Sequence, residues 1–256
     1  MSNKNKYGGK VGATKRRRKQ YEAEHGKASF SSASQTPTKK AKLEAKTKSQ
    51  KEYIEVIKDH DIIFADGPAG CGKTFVATAL GIQGVLAGDY ERLVITRPVL
   101  EAGENLGFLP GSASEKIRPY IEPIYDTLRH FIGVSDVQTL INRGKIEIAP
   151  LAYMRGRTFD DAFIIVDEAQ NCTMKQLKMA ITRIGQNSKI IVNGDVTQSD
   201  WVDGDNNNAL LQHIRVFEQA EHERITVYRF DPTHIVRNAI IGEYLSIIEA
   251  KHANTN

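Results

Sequence analysis

The 256-residue sequence has few of the features that mark secreted, disulfide-rich or membrane proteins. Its two cysteines, Cys71 and Cys172, are too few for a disulfide framework or a metal cluster. No apolar run reaches the roughly 18 residues that a membrane helix needs. The lysine-rich N-terminus also lacks the apolar segment that is typical of a secretory signal. These absences predict a cytoplasmic protein without a membrane segment.

Basic residues are concentrated near the N-terminus. Residues 1–50 hold 14 Lys or Arg against 3 Glu, a net charge of +11, whereas the remainder holds 21 basic and 28 acidic residues, a net charge of −7. Residues 1–37 have almost no apolar side chains, so we expect a disordered arm. The run 15–19 would either contact a phosphate backbone or keep the arm solvated. We expect one folded domain over residues 38–252.

Short apolar runs alternate with helical patterns beyond the arm. The runs typical of buried strands lie at 61–65, 92–96, 145–148, 162–166, 189–193 and 224–228. The helical patterns lie at 38–58, 75–82, 114–131, 135–142, 173–184, 207–219 and 233–251. This alternation predicts an α/β fold with a parallel sheet covered by helices on both faces. Ligands of such sheets bind beyond the carboxyl ends of the strands.

A phosphate-binding loop is predicted between the first strand and the helix that follows it. Its residues are Gly67, Pro68, Ala69, Gly70, Cys71, Gly72, Lys73 and Thr74. The backbone N–H groups of such a loop point at phosphate oxygens, here those of ATP, next to the positive end of the helix. Lys73 would reach the β- and γ-phosphates, and the Thr74 hydroxyl would bind Mg²⁺. A chance glycine-rich turn is the alternative.

Two polar segments follow other predicted strands. Asp167 and Glu168 directly follow the strand at 162–166, which is the pattern of a Walker B strand. Asp167 would hold Mg²⁺, directly or through water. Glu168, next to it, would orient and deprotonate the attacking water, provided that this strand is a neighbour of the strand that leads into the phosphate loop. Gln198 follows the strand at 189–193, where it would sense the γ-phosphate. The Asn-Gly pair in that segment is also common turn chemistry.

These segments together resemble the PhoH family of ATPases over about residues 47–245. The resemblance is carried by the motifs GPAGCGKT at 67–74, TRPVLEAGENLGFLPG at 96–111, EKIRPY at 115–120, YMRGRTF at 153–159, IIVDEAQN at 164–171 and NGDVTQ at 193–198. The family is similar to the first motor domain of superfamily-one helicases. Membership implies a RecA-like P-loop fold, ATP hydrolysis and an association with RNA.

The resemblance also implies roles for individual residues. It implies adenine recognition by Gln50, although position alone favours a surface glutamine there. It implies phosphate contacts by the glycines of the loop and by Lys73, Mg²⁺ at Thr74 and Asp167, catalysis by Glu168 and γ-phosphate sensing by Gln198. Arg97, Arg155 and Arg157 belong to segments that face nucleic acid or a neighbouring subunit in related motors. Alternatively, these arginines pin loops to carboxylates.

Phosphoryl transfer usually needs an arginine that neutralises charge in the transition state. Two-domain helicases supply it from their second motor domain, and this sequence has only one motor domain. We therefore expect a neighbouring copy to supply it within a ring, a hexamer. Arg237 matches the Val-Arg element near the C-terminus of the family, and it would act within its own subunit or on its neighbour.

The sequence thus predicts Mg²⁺-dependent ATP hydrolysis coupled to RNA or another single-stranded nucleic acid. A second hypothesis is a nucleotide-switched oligomeric scaffold in which hydrolysis only resets binding of a partner. A third is a small-molecule kinase, because the fold alone does not determine the acceptor. The Asp167–Glu168 pair and Gln198 favour water as the acceptor.

Overall fold

A computed structural model describes residues 42–98, 113–198, 208–220 and 222–234, with the backbone alone for residues 113–120. The predicted arm at 1–37 and nearly all of the predicted last helix at 233–251 lie outside these ranges. Most of the TRPVLEAGENLGFLPG motif lies outside them as well.

The described strands are β1 (Ile62–Asp66), β2 (Arg92–Arg97), β3 (Ile146–Pro150), β4 (Ala162–Val166), β5 (Lys189–Gly194) and β6 (Ile225–Arg229). The described helices are α1 (Lys48–Asp59), α2 (Lys73–Ala87), α3 (Ala113–Ile132), α4 (Val134–Asn142), α5 (Met174–Ile181) and α6 (Ala209–Gln219). Short 3-10 turns at Leu151–Met154 and Ala169–Asn171 follow β3 and β4. Among these helices, none has the length and apolar character that crossing a lipid bilayer requires.

The six strands form one sheet in the order β3-β2-β4-β5-β1-β6, and every pairing is parallel. The strand β5 lies between β1, which leads into the phosphate loop, and β4, which leads into Asp167. In the register, Val192 pairs with Phe64 on one side and with Val166 on the other. This arrangement places the carboxyl ends of β1, β5 and β4 side by side and confirms the predicted parallel sheet.

Helices cover both faces of the sheet. On one face, α1 to α4 pack side chains such as Tyr53, Ile82 and Leu128 against the strands. On the other face, α5, α6 and the first 3-10 turn contribute side chains such as Leu177, Leu210 and Met154. The four inner strands β1, β2, β4 and β5 are largely buried on both sides, which is why their sequences contain continuous apolar runs instead of alternating ones. The edge strands β3 and β6 are only partly buried.

The first helix begins later than the sequence predicts. Residues 42–47 are not helical, and α1 begins at Lys48 because Thr47 caps it: the Thr47 side chain accepts a hydrogen bond from the Gln50 N–H at 3.2 Å. The residue types over 38–58 are compatible with a helix but do not determine its first residue. The N-cap at Thr47 determines where the helix begins. The two 3-10 turns were not predicted either.

Lys189 is a buried cation at the amino end of β5. Its Nζ donates hydrogen bonds to the carbonyls of Ile57 and Lys58, in the last turn of α1. Carbonyls at the C-terminus of a helix favour a cation. Burial nevertheless lowers the pKa of Lys189 from 10.5 to about 8, although Asp61 and Asp59 oppose the shift. The residue ties the sheet to α1, the helix that carries Gln50.

We expect Lys189 to make the stability of the fold depend on pH. Between about pH 8 and 10.5 the unfolded chain binds more protons at this residue, so the free energy of unfolding should rise with pH there, by up to about 3 kcal/mol. Lys189→Met should lose this rise, whereas Lys51→Met, at an exposed position of α1, should keep it. Chemical denaturation across this pH range measures the difference, and parallel profiles for all three proteins would contradict it.

Candidate nucleotide site

A cavity of about 460 Å³ opens at the carboxyl edge of the sheet. Its walls are the phosphate loop, the ends of β2, β4 and β5, the start of α1 and one side of α3. This is the edge at which ligands of parallel sheets bind. Backbone hydrogen bonds join the loops there to neighbouring strands: Gly67 N–H donates to Gly194 at 3.2 Å, and Asp167 N–H donates to Thr96 at 2.8 Å.

The phosphate loop joins β1 directly to α2, as the sequence predicts. The last loop residue before the helix is Gly72, whose φ of 94° is unfavourable for other residues. A Cβ at Gly72 would also lie 2.6 Å from Gln50 Nε2. Glycine is therefore needed at this position for its backbone conformation and for the close approach of α1.

Lys73 folds back over its own loop. Its Nζ donates to the carbonyls of Gly67 and Pro68, the latter at 3.1 Å, and lies 3.7 Å from Cys71 Sγ. Cys71 is fully buried, and this burial raises the pKa of its thiol. The cation therefore lies among carbonyl oxygens at the edge of the cavity, beside a buried thiol.

Gln50 is buried against the phosphate loop and lines the cavity. Its Nε2 donates to the Cys71 carbonyl at 3.0 Å, and its Oε1 accepts from the Lys46 N–H at 2.8 Å. The side-chain amide thus braces the loop, and one N–H and one lone pair remain for a ligand. Lys46 also lines the cavity. The sequence pattern did not indicate Lys46, which lies four residues before Gln50 and just outside α1.

The Asp167 carboxylate accepts hydrogen bonds from both Thr74 and Arg97. Thr74 Oγ1 donates to Asp167 Oδ1 at 2.6 Å, while Arg97 Nε and Nη2 donate to Oδ2 at 2.8 and 2.6 Å. Asp167 is 2% exposed, so its charge is compensated almost entirely by these partners. A hydroxyl and a carboxylate oxygen are hard ligands of the kind that Mg²⁺ takes alongside phosphate oxygens. The residues predicted to hold the metal therefore fit it.

Glu168 lies beside this group in a strained conformation. Its φ of 55° is in the left-handed region, which is uncommon for residues other than glycine and recurs at functional sites. The carboxylate is about half exposed, and its Oε1 lies 3.8 Å from Arg97 Nη2. Its Oε2 accepts from Gln170 Nε2 at 2.8 Å, and Gln170 Oε1 accepts from the Asp195 N–H at 3.1 Å. Gln170 thus connects Glu168 to the end of β5.

The turn after β5 contributes Asp195 and Gln198 to the cavity. Asp195 Oδ1 accepts from the N–H and hydroxyl of Thr197 at 3.0 and 2.6 Å. Its buried Oδ2 has no hydrogen-bond partner within the described part of the chain. Gln198 is exposed at the mouth of the cavity. The sequence predicted a role for Gln198 but not for Asp195 or Gln170, although both belong to the motifs that carry the resemblance.

The predicted arginines separate into different environments. Arg97 lines the cavity, as described above. Arg157 forms a two-pronged ion pair with Glu147 and lies over the Phe159 ring at 4.5 Å, which agrees with the alternative that it pins a loop. Arg155 is exposed outside the cavity. Arg237 lies outside the described residues.

The structure therefore gathers most of the predicted site at one cavity. The residues that line it and that the sequence predicts are Gln50, Ala69, Gly70, Gly72, Lys73, Thr74, Arg97, Asp167, Glu168 and Gln198. The remaining loop residues, Gly67, Pro68 and Cys71, contact the Lys73 ammonium group through two carbonyl oxygens and a thiol.

Comparison with known proteins agrees with this geometry. The family model described as "PhoH-like protein" matches residues 42–249. The chain belongs to the PhoH family. It is 55% identical over 158 residues to a PhoH-like protein of Synechocystis, covering 62% of this chain and 48% of that protein. It is 43% identical over 218 residues to a PhoH-like protein of Bacillus subtilis, covering 83% of this chain and 66% of that protein.

Protein PhoH of Escherichia coli is 45% identical over 198 residues, covering 77% of this chain and 55% of that protein. The chain thus spans about half to two thirds of the length of these curated relatives. A helicase domain of Pyrococcus furiosus Hef is a distant structural neighbour, with a TM-score of 0.42 and 12% identity over 73% of this chain and 38% of that one. Membership of the family and the phosphate loop at this cavity support nucleotide binding there.

We expect the ion pair of Arg97 with Asp167 to stabilise the nucleotide-free protein. Arg97→Ala would leave Asp167 buried without its cation, and breaking a buried pair in this way costs about 3–5 kcal/mol of the free energy of unfolding. Adding Asp167→Asn should recover much of that loss, because the buried charge is then gone. Denaturant unfolding of the two single variants and the double variant, without nucleotide or Mg²⁺, measures the coupling. Additive losses would contradict it.

Proposed function

We propose that this PhoH-family protein is a Mg²⁺-dependent ATPase whose hydrolysis is coupled to binding or remodelling of RNA or another single-stranded nucleic acid. The observation that carries the hydrolytic part is the contact of Thr74 Oγ1 with Asp167 Oδ1 at 2.6 Å, on the wall of the cavity. That contact brings the end of the phosphate loop to the end of β4, where Glu168 follows. A phosphate loop, a metal-binding carboxylate and a second carboxylate are the parts that ATP hydrolysis needs.

The phosphates of ATP would lie on the loop N–H groups at the N-terminus of α2. Lys73 would exchange its contacts with the carbonyls of Gly67 and Pro68 for contacts with the β- and γ-phosphates. Thr74 and Asp167 would hold Mg²⁺, which supplies charge neutralisation when bound. Gln50 lines the cavity beside Lys46, and its Nε2 uses one of its two N–H groups on the Cys71 carbonyl, so we assign adenine recognition to Gln50.

Glu168 would act as the general base for the attacking water. Its carboxylate is half exposed beside the cavity, which leaves it accessible to water, and Gln170 holds one of its oxygens. Because Gln170 also bonds the backbone of Asp195, the base is positioned relative to the turn that carries Gln198. Gln198 would contact the γ-phosphate from that turn.

We expect Glu168→Gln to abolish turnover and retain ATP binding. A general base contributes about 10²- to 10⁴-fold to a rate, and an amide cannot accept the proton from water. Steady-state phosphate release with Mg²⁺, and with the metal chelated, measures turnover, while a fluorescent ATP analogue measures binding. Glu223→Gln removes a remote exposed carboxylate and is the matched control. Turnover of Glu168→Gln at the rate of Glu223→Gln would contradict the assignment.

The same assay tests the nucleic-acid part when single-stranded RNA is added at low and moderate salt. Stimulation by RNA that weakens with salt, and that is smaller without residues 1–37, supports coupling through phosphate contacts. Turnover that is indifferent to RNA would instead favour the nucleotide-switched scaffold.

An arginine from outside the described residues would complete the catalytic site. In the part of the chain that the structure describes, Arg97 is the arginine that lines the cavity, and Asp167 already engages it. Stabilisation of the transferring phosphoryl group needs a further cation that is directed at the γ-phosphate. We assign this role to Arg237 and propose that it reaches the cavity of a neighbouring subunit in a hexameric ring.

We expect Arg237→Ala to lower turnover by about 10³-fold or more, since arginine fingers contribute on that scale. Mixing two inactive proteins then distinguishes the two geometries. If Arg237 acts on its neighbour, mixed rings of Arg237→Ala and Glu168→Gln regain activity, because some sites have both intact groups. Mass photometry of the same samples reports the ring size. A mixture without activity, despite demonstrated subunit exchange, would contradict action between subunits.

A further inference from the structure

We infer that the surface formed by the first 3-10 turn and α5 is the docking face for single-stranded nucleic acid. We call it the basic face and define it by Tyr153, Arg155, Met174, Lys175 and Lys178. The inference rests on the proposed function and adds to it the surface that contacts the strand.

The basic face has a charge opposite to that of the rest of the chain beyond residue 50. Residues 151–159 and 169–194 contain no Asp or Glu at all, but they contain Arg155, Arg157, Lys175, Lys178, Arg183 and Lys189. The remainder after residue 50 has a net negative charge, as noted above. A cationic surface on an acidic body attracts polyanions locally and repels them elsewhere, which gives binding a defined location.

Three of these cations are available to a ligand. Arg155, Lys175 and Lys178 are exposed, and they make no ion pair within the ranges that the structure describes. The other three are engaged: Arg157 with Glu147, Arg183 with the Arg157 carbonyl, and Lys189 with the end of α1. The engaged cations hold the loop and the sheet, while the available ones face solvent.

An exposed aromatic ring belongs to the 3-10 turn that packs against α5. Tyr153 is 61% exposed, whereas its neighbours Leu151 and Met154 are buried against Leu177 and the rest of the core. Met174, at the first turn of α5, is a further exposed apolar side chain at 39%. Exposed aromatic rings among cations are the arrangement that binds single strands, because unpaired bases stack on the rings while the cations contact phosphates.

The face is joined to the nucleotide site by a few consecutive residues of the chain. The turn Ala169–Asn171 directly follows Glu168, and Thr173 then begins α5 with a capping box in which Thr173 and Gln176 bond each other's backbone N–H groups. The first 3-10 turn packs against α5. A bound nucleic acid that pulls on α5 would therefore act on the segment that contains Gln170, the residue whose side chain donates a hydrogen bond to Glu168.

Two kinds of substitution separate stacking from charge. Tyr153→Ala should weaken binding of a fluorescein-labelled oligouridylate by about tenfold, whereas Tyr153→Phe should retain it, since stacking on an aromatic ring is worth about 1–3 kcal/mol per base. Lys175→Ala/Lys178→Ala should lower the slope of log affinity against log salt by about 1.4, at roughly 0.7 per cation. Anisotropy titrations of the full chain over a range of salt concentrations measure both.

The matched control for charge is Lys51→Ala/Arg143→Ala, which removes two exposed cations elsewhere and should leave the slope nearly unchanged. The basic arm is present in every protein compared, so its contribution cancels. Thermal unfolding confirms that each variant is folded. A duplex competitor gives a further distinction: its binding should depend on Lys175 and Lys178 but not on Tyr153, because paired bases cannot stack on the ring.

Binding of Tyr153→Ala and Lys175→Ala/Lys178→Ala equal to that of the control would overturn this inference. A change of oligomeric state in these variants, seen by mass photometry, would also overturn it, because the face would then contact a second copy of the chain. ATP hydrolysis by the wild-type chain distinguishes failure of the proposed function from failure of this inference. Absence of ATP hydrolysis in that chain contradicts the proposed function, whereas unchanged binding by the variants contradicts only the assignment of the face.

Discussion

The carboxylate of Asp167 is the group on which the rest of the nucleotide site depends. A charge that is 98% shielded from solvent must be compensated by hydrogen bonds and an opposite charge, or the fold loses several kcal/mol. Thr74 and Arg97 supply that compensation from the start of α2 and the end of β2. One side chain thus connects the phosphate loop, β2 and β4, and the connection that stabilises the fold also brings together the two oxygens that we propose hold Mg²⁺.

The position of β5 explains how the other parts of the site cooperate. Because β5 lies between β1 and β4, the turn after it reaches the cavity between the phosphate loop and Glu168. Gln170 bridges that turn to Glu168 through two hydrogen bonds. The same segment continues into α5 and the basic face. Nucleotide and nucleic acid would therefore act on opposite ends of one short stretch, residues 168–178.

Local patterns were sufficient to predict much of this protein. The continuous apolar runs predicted strands that are buried on both faces, and the order of strand, glycine-rich loop and helix predicted the phosphate loop. Partners that are distant in the sequence could not be predicted in this way. Nothing in the segment around Arg97 indicates that it pairs with Asp167, seventy residues later, or that Arg157 pairs with Glu147 while Arg155 stays exposed. The start of α1 depended on a single cap at Thr47.

The sequence by itself determined the fold class, the phosphate loop and the carboxylates at the end of β4, because each depends on residues that are adjacent in the chain. Only the tertiary structure decided the strand order, the role of Gln50 as a brace of the loop, and the bridge from Glu168 through Gln170 to Asp195. It also decided that the 3-10 turn next to Arg155 packs against α5, the helix that carries Lys175 and Lys178. The physical reason is that register, burial and charge compensation arise between segments, and chain order does not specify which segments meet.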